Sequence, residues 1–363
     1  MKLSKLKLTD FRNFKNKLIN FGDKITIVIG DNAKGKTNIL EAINLLATGK
    51  SFHARVEEEM IRYSKEIARV KGRVFEGEER TDLEVTLTRG EITVGENPKK
   101  TEKVAKKKLK VNGAGKRLVD FSGILKTVLF GPWHLDLVTE SPSLRRDFLD
   151  DVLSQVDREY KRASLSYSKG LRRRNKILYF IREEEASRSQ LAFWDKLLIK
   201  NGDYISSKRA EFIDYVNATP DFNGQDFSLE YDKSAISEAR LEQYKEEEVA
   251  AATTLVGPHR DDLIFMLKKG KSKARLPAGR DLSRYGSRGE QRMGVLWLKL
   301  AELEFIKQRT EQNPVLLLDD IFSELDHEHR DIVMDVVKNQ QTIITTADPH
   351  FVKNLKSIEI VKL

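Results

Sequence analysis

The sequence contains no cysteine among its 363 residues. This absence excludes disulfide bonds, iron–sulfur clusters and zinc sites built on thiolates. Cysteine-free chains suit a reducing compartment, and we therefore expect a cytoplasmic protein. Hydrophobic residues still make up 39% of the chain. That content and this length are enough for two or three packed structural units.

Long apolar stretches are also missing, because no run approaches the roughly 18 residues that a membrane-spanning helix needs. The N-terminal residues lack the apolar segment of a signal peptide. Charged residues are plentiful and unbalanced: the chain has 65 lysine and arginine residues and 56 acidic residues, which gives a net charge of +9. Such an excess suggests a polyanionic partner, either nucleic acid or an anionic membrane, although a lysine-rich solubilising surface explains it equally well.

Strand-like patterns open the chain. Residues 3–14 alternate in polarity, and residues 25–29 form an apolar, β-branched run that indicates a buried central strand. A helix is predicted over 37–46, and strand-like alternation returns over 66–112, with a hairpin-type turn at Asn112-Gly113. This last region also holds a basic stretch of Lys99, Lys100, Lys103, Lys106, Lys107, Lys108 and Lys110.

From residue 143 the apolar residues recur at three- and four-residue spacing, which is typical of a long helix packing along one seam. We predict a first helix of about 40 residues, about 60 Å long at 1.5 Å per residue. A second helical stretch over 191–216 should return antiparallel. Mixed α/β patterns resume at about residue 254. The predicted domains are an α/β head made of residues 1–135 and 254–363, and a mainly helical arm domain over 136–253.

Residues 30–37 fit the spacing G-x-x-x-x-G-K-[ST] between the predicted strand and helix. Glycines let backbone N–H groups approach phosphates, Lys36 supplies positive charge to the β and γ phosphates, and Thr37 offers a hydroxyl group to Mg²⁺. A glycine-rich turn without a ligand is the weaker interpretation in this context. The predicted ATP-binding residues are Gly30, Asp31, Asn32, Ala33, Lys34, Gly35, Lys36, Thr37 and Asn38, together with Arg12.

The apolar run 315–318 ends in Asp319 and Asp320. A carboxylate at the end of such a strand holds the water shell of Mg²⁺, and its neighbour can orient an attacking water molecule. We assign Asp319 to Mg²⁺ together with Thr37, and Asp320 to the polarisation of water. A strand that simply leaves the core through two acidic residues is the alternative, which the phosphate-loop motif weakens.

Residues 287–291 open a helix that is predicted to run to about residue 308. The Ser287 hydroxyl group, the flexible Gly289 and the N–H groups of the helix start form a second anion-binding arrangement. Glu290 belongs to the same motif, but a serine followed three residues later by glutamate is also an ordinary capping box. The order of phosphate loop, serine motif and Asp-Asp strand favours the nucleotide role, and we count Ser287 with the catalytic residues.

This succession of motifs resembles the head of ABC ATPases, in which the serine motif of one subunit closes on the nucleotide held by the other. The segment Leu8–Phe14 resembles the opening strand of the SMC-like repair branch of these ATPases. Four further segments (141–150, 257–263, 286–292 and 317–326) resemble the RecF family, and the short arm agrees. The expected fold is therefore an α/β, ABC-type ATPase head, a P-loop NTPase with a mixed β-sheet and helices, with an inserted helical arm.

The resemblance implies an ATP-dependent DNA-binding protein of recombinational repair. Two heads would dimerise with ATP and Mg²⁺ on double-stranded DNA near single-strand gaps and junctions, and would help RecO and RecR to load RecA. Weak, DNA-stimulated ATP hydrolysis would reset the dimer. Because no base-reading module is visible, DNA binding should be independent of sequence and steeply dependent on salt.

Three basic clusters are candidates for DNA contact, although each is more often a solvated face. They are Lys103, Lys106, Lys107 and Lys108; Arg145 and Arg146; and Arg172, Arg173, Arg174 and Lys176. A membrane-transporter subunit is an alternative that the opening strand and the arm do not fit. A small-molecule phosphotransferase would need neither the serine motif nor the basic excess.

Some positions depart from the ABC and RecF patterns. Asp320 stands where most ABC ATPases carry glutamate, and its shorter side chain predicts slow turnover. Ala33 and Lys34 replace the usual glycine and glutamine, and His53 stands where arginine is expected. No histidine occupies the ABC switch position at 346–348, and His350 follows slightly too late. No residue can be assigned to the adenine from the sequence.

Overall fold

The computed structural model describes residues 1–93, 101–269, 279–323, 327–348 and 358–363. Contacts divide the chain into a first unit, Met1–Pro132 with Ile306–Leu363, and a second unit, Trp133–Phe305. Lys36 and Asp319 lie in the same unit. The domain boundaries predicted at residues 135 and 253 were placed from the order of the sequence motifs, whereas the two units are defined by contacts between residues. The predicted boundaries therefore stay a prediction. Within the described ranges, no helix is both long and apolar enough to cross a membrane.

The chain forms strands and helices throughout. The strands are β1 (Lys2–Phe11), β2 (Phe14–Asn20), β3 (Ile25–Ile29), β4 (Ile67–Glu76), β5 (Glu79–Thr88), β6 (Glu91–Thr93), β7 (Thr101–Lys103), β8 (Lys107–Val111), β9 (Ala114–Lys116), β10 (Thr127–Phe130), β11 (Asp226–Asp232), β12 (Asp262–Lys269), β13 (Arg280–Asp281), β14 (Val315–Asp319), β15 (Thr342–Thr346) and β16 (Ile358–Lys362). The α-helices are α1 (Lys36–Thr48), α2 (Leu118–Phe121), α3 (Asp136–Thr139), α4 (Pro142–Val156), α5 (Arg158–Arg182), α6 (Ala192–Asn217), α7 (Glu238–Gln243), α8 (Lys245–Ala251), α9 (Leu282–Tyr285), α10 (Arg288–Thr310) and α11 (His327–Val337).

Six antiparallel strands of the first unit form a sheet in the order β2-β1-β4-β5-β8-β9. Residues such as Leu6 and Leu8 of β1 are fully buried, while their neighbours along the strand are not, so one face packs on the core and the other faces solvent. The predicted turn at Asn112 and Gly113 joins β8 to β9. Both residues have a positive φ angle, 49° and 82°, as a tight hairpin turn requires.

The other sheet of the first unit is parallel, in the order β10-β14-β15-β3-β16. The predicted buried strands at 25–29, 315–318 and 342–344 are confirmed as β3, β14 and β15. The predicted helix over 37–46 is confirmed as α1, and 11 of its 13 residues are buried. This burial follows because α1 contacts both β4 and β5 of one sheet and β14 and β15 of the other.

The single helix of about 40 residues predicted from residue 143 is wrong, because α4 and α5 are separate helices. Asp157 between them has extended backbone angles (φ −134°, ψ 104°), and its carboxylate accepts a hydrogen bond from the Tyr160 N–H group at 2.9 Å. An aspartate N-cap thus starts a new helix. The predicted second stretch is α6, which runs antiparallel to α5, since Arg174 bonds to Asp195 and Arg209 bonds to Tyr160.

The segment 257–263, one of those that resemble the RecF family, forms a buried centre of hydrogen bonds in the second unit. The Asp261 carboxylate accepts hydrogen bonds from Arg209 at 2.9 Å, from the Ser234 N–H group at 2.8 Å and from the Tyr231 hydroxyl group. Asp261 is fully buried. A buried carboxylate with three donors stabilises the packing of α6 and β11 around this segment.

Candidate nucleotide-binding site

Strand order brings the two predicted nucleotide motifs to one edge of the parallel sheet. β15 lies between β3 and β14, and the register pairs Ile29 with Thr346 and Asp319 with Thr345. The carboxyl ends of these strands therefore meet where the glycine-rich loop leads from β3 into α1. Open α/β sheets form their ligand sites at this edge.

The glycine-rich loop curves around the ammonium group of Lys36. Its Nζ atom donates hydrogen bonds to the carbonyl oxygens of Gly30 at 2.6 Å and Asp31 at 3.0 Å, and the side chain is buried. Gly35 has a φ angle of 98°, and a Cβ atom there would lie 2.6 Å from the Asn13 side chain. Only glycine fits this position, because both the conformation and the close approach exclude a side chain.

Asn13, in the turn between β1 and β2, supports the loop from outside, and no motif in the sequence indicated this role. Its Nδ2 atom donates a hydrogen bond to the Lys34 carbonyl oxygen at 2.9 Å. Its Oδ1 atom accepts one from Asn38 at 2.9 Å. The opening hairpin therefore holds both the phosphate-type loop, at Lys34, and the first turn of α1, at Asn38.

Two oxygen atoms suited to Mg²⁺ lie side by side at this edge. The Thr37 hydroxyl group donates a hydrogen bond to one carboxylate oxygen of Asp319 at 2.6 Å, and the Thr345 hydroxyl group donates to the other. Mg²⁺ prefers hard oxygen ligands and is commonly held by one or two protein groups together with phosphates and waters. The pair fits that requirement, although the described residues contain no cluster of three acidic, histidine or cysteine side chains.

Asp320 has a φ angle of 49°, in the left-handed region that few residues other than glycine adopt. Its N–H group donates a hydrogen bond to the Thr345 carbonyl oxygen at 3.0 Å, and the residue is half-buried. Aspartate tolerates this conformation better than most residues, and such backbone strain concentrates at functional sites. Asp320 directly follows Asp319, whose carboxylate accepts the hydrogen bond from Thr37.

Arg12 forms an ion pair with a glutamate that no sequence motif indicated. Glu41 of α1 is fully buried and accepts hydrogen bonds from the Arg12 guanidinium group at 2.6 and 2.7 Å. The Ser51 hydroxyl group donates to the same carboxylate and accepts from the N–H groups of His53 and Ala54, at 2.9 and 2.7 Å. This Glu41 network joins the opening hairpin, the helix after the phosphate-type loop and the loop that follows α1.

Replacing Glu41 with glutamine is expected to lower the free energy of unfolding by about 3 kcal/mol, since the Arg12 guanidinium group would lose its buried counter-charge. Denaturant unfolding measures this loss, and adding Arg12→Gln should recover part of it. Asp335→Asn is the matched control, because it breaks the exposed pair with Lys338. A loss no larger than that of the control would contradict a stabilising role for the network.

A groove of about 630 Å³ lies beside the Glu41 network. Its lining includes Arg12, Asn13, Asn38, His53, Tyr63 and Arg89. The Tyr63 residue is 92% exposed, which leaves its ring open to a ligand. No feature of the sequence pattern distinguishes this tyrosine from the others, and only the fold brings it next to residues that border the loop.

Ser287 and Glu290 form a capping box at the start of α10 in the second unit. The Ser287 hydroxyl oxygen accepts a hydrogen bond from the Glu290 N–H group at 3.3 Å, and the Glu290 carboxylate accepts one from the Ser287 N–H group at 2.9 Å. Arg280 pairs with the other carboxylate oxygen of Glu290. Ser287 and Gly289 remain exposed, so the cap leaves the helix start accessible.

Burial separates the basic candidates for DNA contact. Arg145 donates to both carboxylate oxygens of Asp262, at 2.7 and 3.1 Å, and Arg174 is 2% exposed and forms ion pairs with two carboxylates. These two guanidinium groups stabilise the second unit and do not reach its surface, which corrects their assignment to DNA. Arg146 donates to the Asp261 carbonyl oxygen at 2.8 Å and is only half-buried.

The other candidates lie on exposed or partly exposed surfaces. Lys106 pairs with Glu58 and Lys107 pairs with Glu57, so their charges are offset. In the part of the chain that the structure describes, the candidates that are exposed and form no ion pair are Lys103, Lys108, Arg172, Arg173 and Lys176. Residues 324–326, His350, and Lys99 with Lys100, all named in the sequence analysis, lie outside the described residues.

The fold and the site define an ABC-type ATPase head, a P-loop NTPase in which a loop of this kind joins a central parallel strand to a helix. The RecF/RecN/SMC N terminal domain model matches residues 2–363, and the chain belongs to the RecF family. The DNA replication and repair protein RecF of Ligilactobacillus salivarius (strain UCC118) is 34% identical over 369 residues, which cover 95% of this chain and 91% of the relative.

Solved structures agree with this assignment. The recombination mediator protein RecF-ATPrS in RecFOR pathway superposes with a TM-score of 0.85 at 28% identity, covering 100% of this chain and 96% of that chain. The recombination mediator protein RecF-ATP in RecFOR pathway gives 0.84 at 28% identity, covering 98% and 93%. The resemblance and the α/β ATPase fold expected from the sequence are therefore confirmed.

Proposed function

We propose that this chain is an ATP-dependent DNA-binding protein of recombinational repair that dimerises around ATP. The observation that carries the proposal is the grouping of Lys36, Thr37 and Asp319 at one edge of the parallel sheet. Lys36 would offset the charge of the β and γ phosphates, and loop N–H groups would donate to their oxygens. Relatives of the same fold solved as RecF-ATPrS and RecF-ATP support ATP as the nucleotide.

Thr37 and Asp319 are the groups that would hold Mg²⁺. When bound, Mg²⁺ would neutralise part of the charge on the phosphate oxygens. The Thr345 hydroxyl group bonds to one carboxylate oxygen of Asp319 and so fixes the orientation of the other toward Thr37.

The nucleoside end of ATP would lie in the groove beside the Glu41 network. The exposed Tyr63 ring offers a flat surface on which a base can stack. Arg12 and Asn13 line the same groove, and Asn13 also bonds to the loop that would hold the phosphates. In this proposal Tyr63 would be the adenine contact, for which the sequence alone indicated no residue.

Ser287 would act in trans, against the γ-phosphate bound to the other subunit. The first turn of a helix has N–H groups without partners inside the helix, and these suit an anion. Ser287 and Gly289 are exposed at such a helix start. Because ADP lacks the γ-phosphate that this motif would contact, ATP and not ADP would drive dimerisation.

Cations on α5 would contribute to the binding of duplex DNA. Lys169, Arg172, Arg173 and Lys176 follow the spacing i, i+3, i+4, i+7, and all four are exposed on one face of the helix. Contacts of lysine and arginine with phosphates are independent of sequence and weaken as salt rises. We also propose that the chain works with RecO and RecR to help load RecA. This part of the proposal rests on the resemblance to the RecF family alone.

Asp320 would orient the water molecule that attacks the γ-phosphate, and weak, DNA-stimulated hydrolysis would reset the dimer. Replacing Asp320 with asparagine should keep ATP binding and trap the dimer, because Lys36 and Asp319 remain in place. Phosphate release should fall on the order of a hundred-fold, in line with the loss of a positioned catalytic group. Hydrolysis at the parental rate would remove Asp320 from this role.

Sizing the protein by light scattering tests the proposal as a whole. We expect a monomer alone and with ADP, a dimer with ATP, and a larger complex with ATP and duplex DNA. A monomer under all of these conditions would contradict the ATP-driven dimer. A dimer that forms equally well with ADP would remove the γ-phosphate from its formation.

A further inference from the structure

The solvent side of the six-stranded sheet carries a dense set of basic residues that the sequence motifs do not reveal. Along β1, β4, β5 and β8, residues alternate between a buried position and an outward position. We define the basic sheet face by nine outward charged residues, Lys5, Lys7, Arg69, Lys71, Arg73, Asp82, Glu84, Lys108 and Lys110. The cations come from three separate stretches of the chain, and only the strand pairing brings them together.

Strand register sets like charges against each other on this face. In the antiparallel pairing of β1 with β4, Lys5 lies opposite Arg73 and Lys7 lies opposite Lys71. Like charges in directly opposite positions destabilise a sheet, because their side chains start only about 5 Å apart. These two cross-strand pairs therefore do not contribute to the stability of the sheet.

The two acidic residues offset only part of this charge. Glu84 pairs with Lys71 at 2.9 Å, and Asp82 pairs with Arg73 at 2.9 Å and also with Arg80. Over the ranges that the structure describes, Lys7, Arg69 and Lys108 are exposed and form no ion pair. A bound polyanion would remove the remaining repulsion.

We propose that the basic sheet face binds the sugar–phosphate backbone of duplex DNA. This inference rests on the proposed DNA-binding function and gives it a contact surface in the first unit, in addition to the cations of α5. Neighbouring strands lie about 4.8 Å apart, so the cations spread over roughly 14 Å from β1 to β8. A flat array of this width suits charges distributed along a backbone, whereas a single compact anion needs a concave site.

The composition of the face favours nucleic acid over a membrane. Binding at a membrane interface combines basic residues with aromatic and large aliphatic side chains that enter the lipid. At the outward positions of β1, β4, β5 and β8 no large apolar residue is exposed, since Ile67 and Phe75 are half-buried, and Leu18 of β2, 52% exposed, lies opposite Lys7. Lysine and arginine on a rigid sheet instead supply contacts that position a protein on phosphates without reading bases.

The test combines Lys7→Gln, Arg69→Gln and Lys108→Gln in the full chain, one residue from each of three strands. Duplex affinity is measured with ATP at several salt concentrations. Losing three phosphate contacts should reduce the slope of log affinity against log salt by about 2.7, and should lower affinity at 0.1 M salt on the order of a hundred-fold. The melting temperature should not fall, because none of the three cations forms an ion pair within the described residues and Lys7 lies opposite another cation, Lys71.

The matched control combines Lys208→Gln, Lys245→Gln and Lys338→Gln, each of which forms an ion pair with an acidic residue three positions away. It removes the same charge, and it should keep the parental salt slope. Equal losses in the two variants would show an effect of net charge alone and would overturn the assignment.

Three further outcomes distinguish the failure of this inference from the failure of the function on which it rests. Parental duplex binding in the Lys7, Arg69 and Lys108 variant would overturn the role of the face and leave the proposed function intact. A parent chain that binds no duplex would overturn both. If the variant keeps duplex binding but loses binding to phosphatidylglycerol vesicles, the face belongs to a membrane and the assignment to DNA is wrong.

Discussion

Replacing Lys36 with alanine is expected to abolish productive ATP binding, with a loss of affinity on the order of a thousand-fold. The ammonium group lies inside the loop, 2.6 Å from the Gly30 carbonyl oxygen and 3.0 Å from the Asp31 carbonyl oxygen, to both of which it donates hydrogen bonds. Charge-assisted hydrogen bonds to phosphate are among the strongest that a protein makes, and this substitution removes them. Fluorescent nucleotide titration at fixed Mg²⁺ measures the effect.

Lys34 is the matched comparison for this experiment, because it lies in the same loop but is exposed. Lys34→Ala removes the same charge from a solvated position, where salt screens it, so affinity should fall by less than about ten-fold. Similar losses in the two variants would mean that the overall charge of the loop, and not the position of the Lys36 ammonium group, determines ATP affinity.

Replacing Ser287 with arginine should block the ATP-dependent dimer and leave ATP binding by the monomer unchanged. In the proposed dimer, the new guanidinium group would meet the Lys36 site of the opposing subunit. Like charges facing each other across an interface cost several kcal/mol, which corresponds to a loss of at least a hundred-fold in dimer affinity. Sedimentation with ATP measures association, and nucleotide titration measures binding.

The capping box supplies a competing explanation, because Ser287 also satisfies the Glu290 N–H group. Loss of a cap costs about 1 kcal/mol and lowers the melting temperature without a reason to affect association. Ser237 caps α7 in the same unit, with its hydroxyl oxygen accepting from the Arg240 N–H group at 3.2 Å. Ser237→Arg is therefore the matched control, and it should reduce stability while the dimer still forms.

A mixture of two variant proteins tests directly whether Ser287 acts on the nucleotide bound to the other subunit. Neither Ser287→Arg nor Lys36→Ala should dimerise alone, but a mixture of the two variants retains one intact site, made of Lys36 from one subunit and Ser287 from the other. We expect mixed dimers with at most one bound ATP. If the Ser287→Arg protein dimerises normally by itself, the motif has no role in trans and the helix cap is its whole function.

The sequence by itself determined the parts of this protein that depend on neighbouring residues. The apolar runs at 25–29 and 315–318, the glycine-rich loop between a strand and a helix, and the Asn112-Gly113 turn are local patterns. Their backbone preferences act over a few residues, so no knowledge of distant partners is needed. The family resemblance is of the same kind, because it rests on short motifs in a set order.

The sequence pattern gave the wrong prediction where the same residue type suits two different structural roles. The spacing of apolar residues from 143 onward continues through Asp157, and periodicity alone therefore predicted one helix. The carboxylate of Asp157 instead bonds to the Tyr160 N–H group and caps α5. In the same way, the arginines at 145 and 174 have the charge that DNA binding needs, but acidic partners distant in sequence bury both.

Only the tertiary structure decided which charges are paired and which are free. Glu41 accepts hydrogen bonds from Arg12 and Ser51 because α1 packs between two sheets. The spacing of these three residues along the chain does not predict that contact. The basic sheet face exists because the register of β1 with β4 sets Lys7 opposite Lys71. Charge interactions depend on distance in space and on burial, and both are set by strand pairing and helix packing that join residues far apart in the sequence.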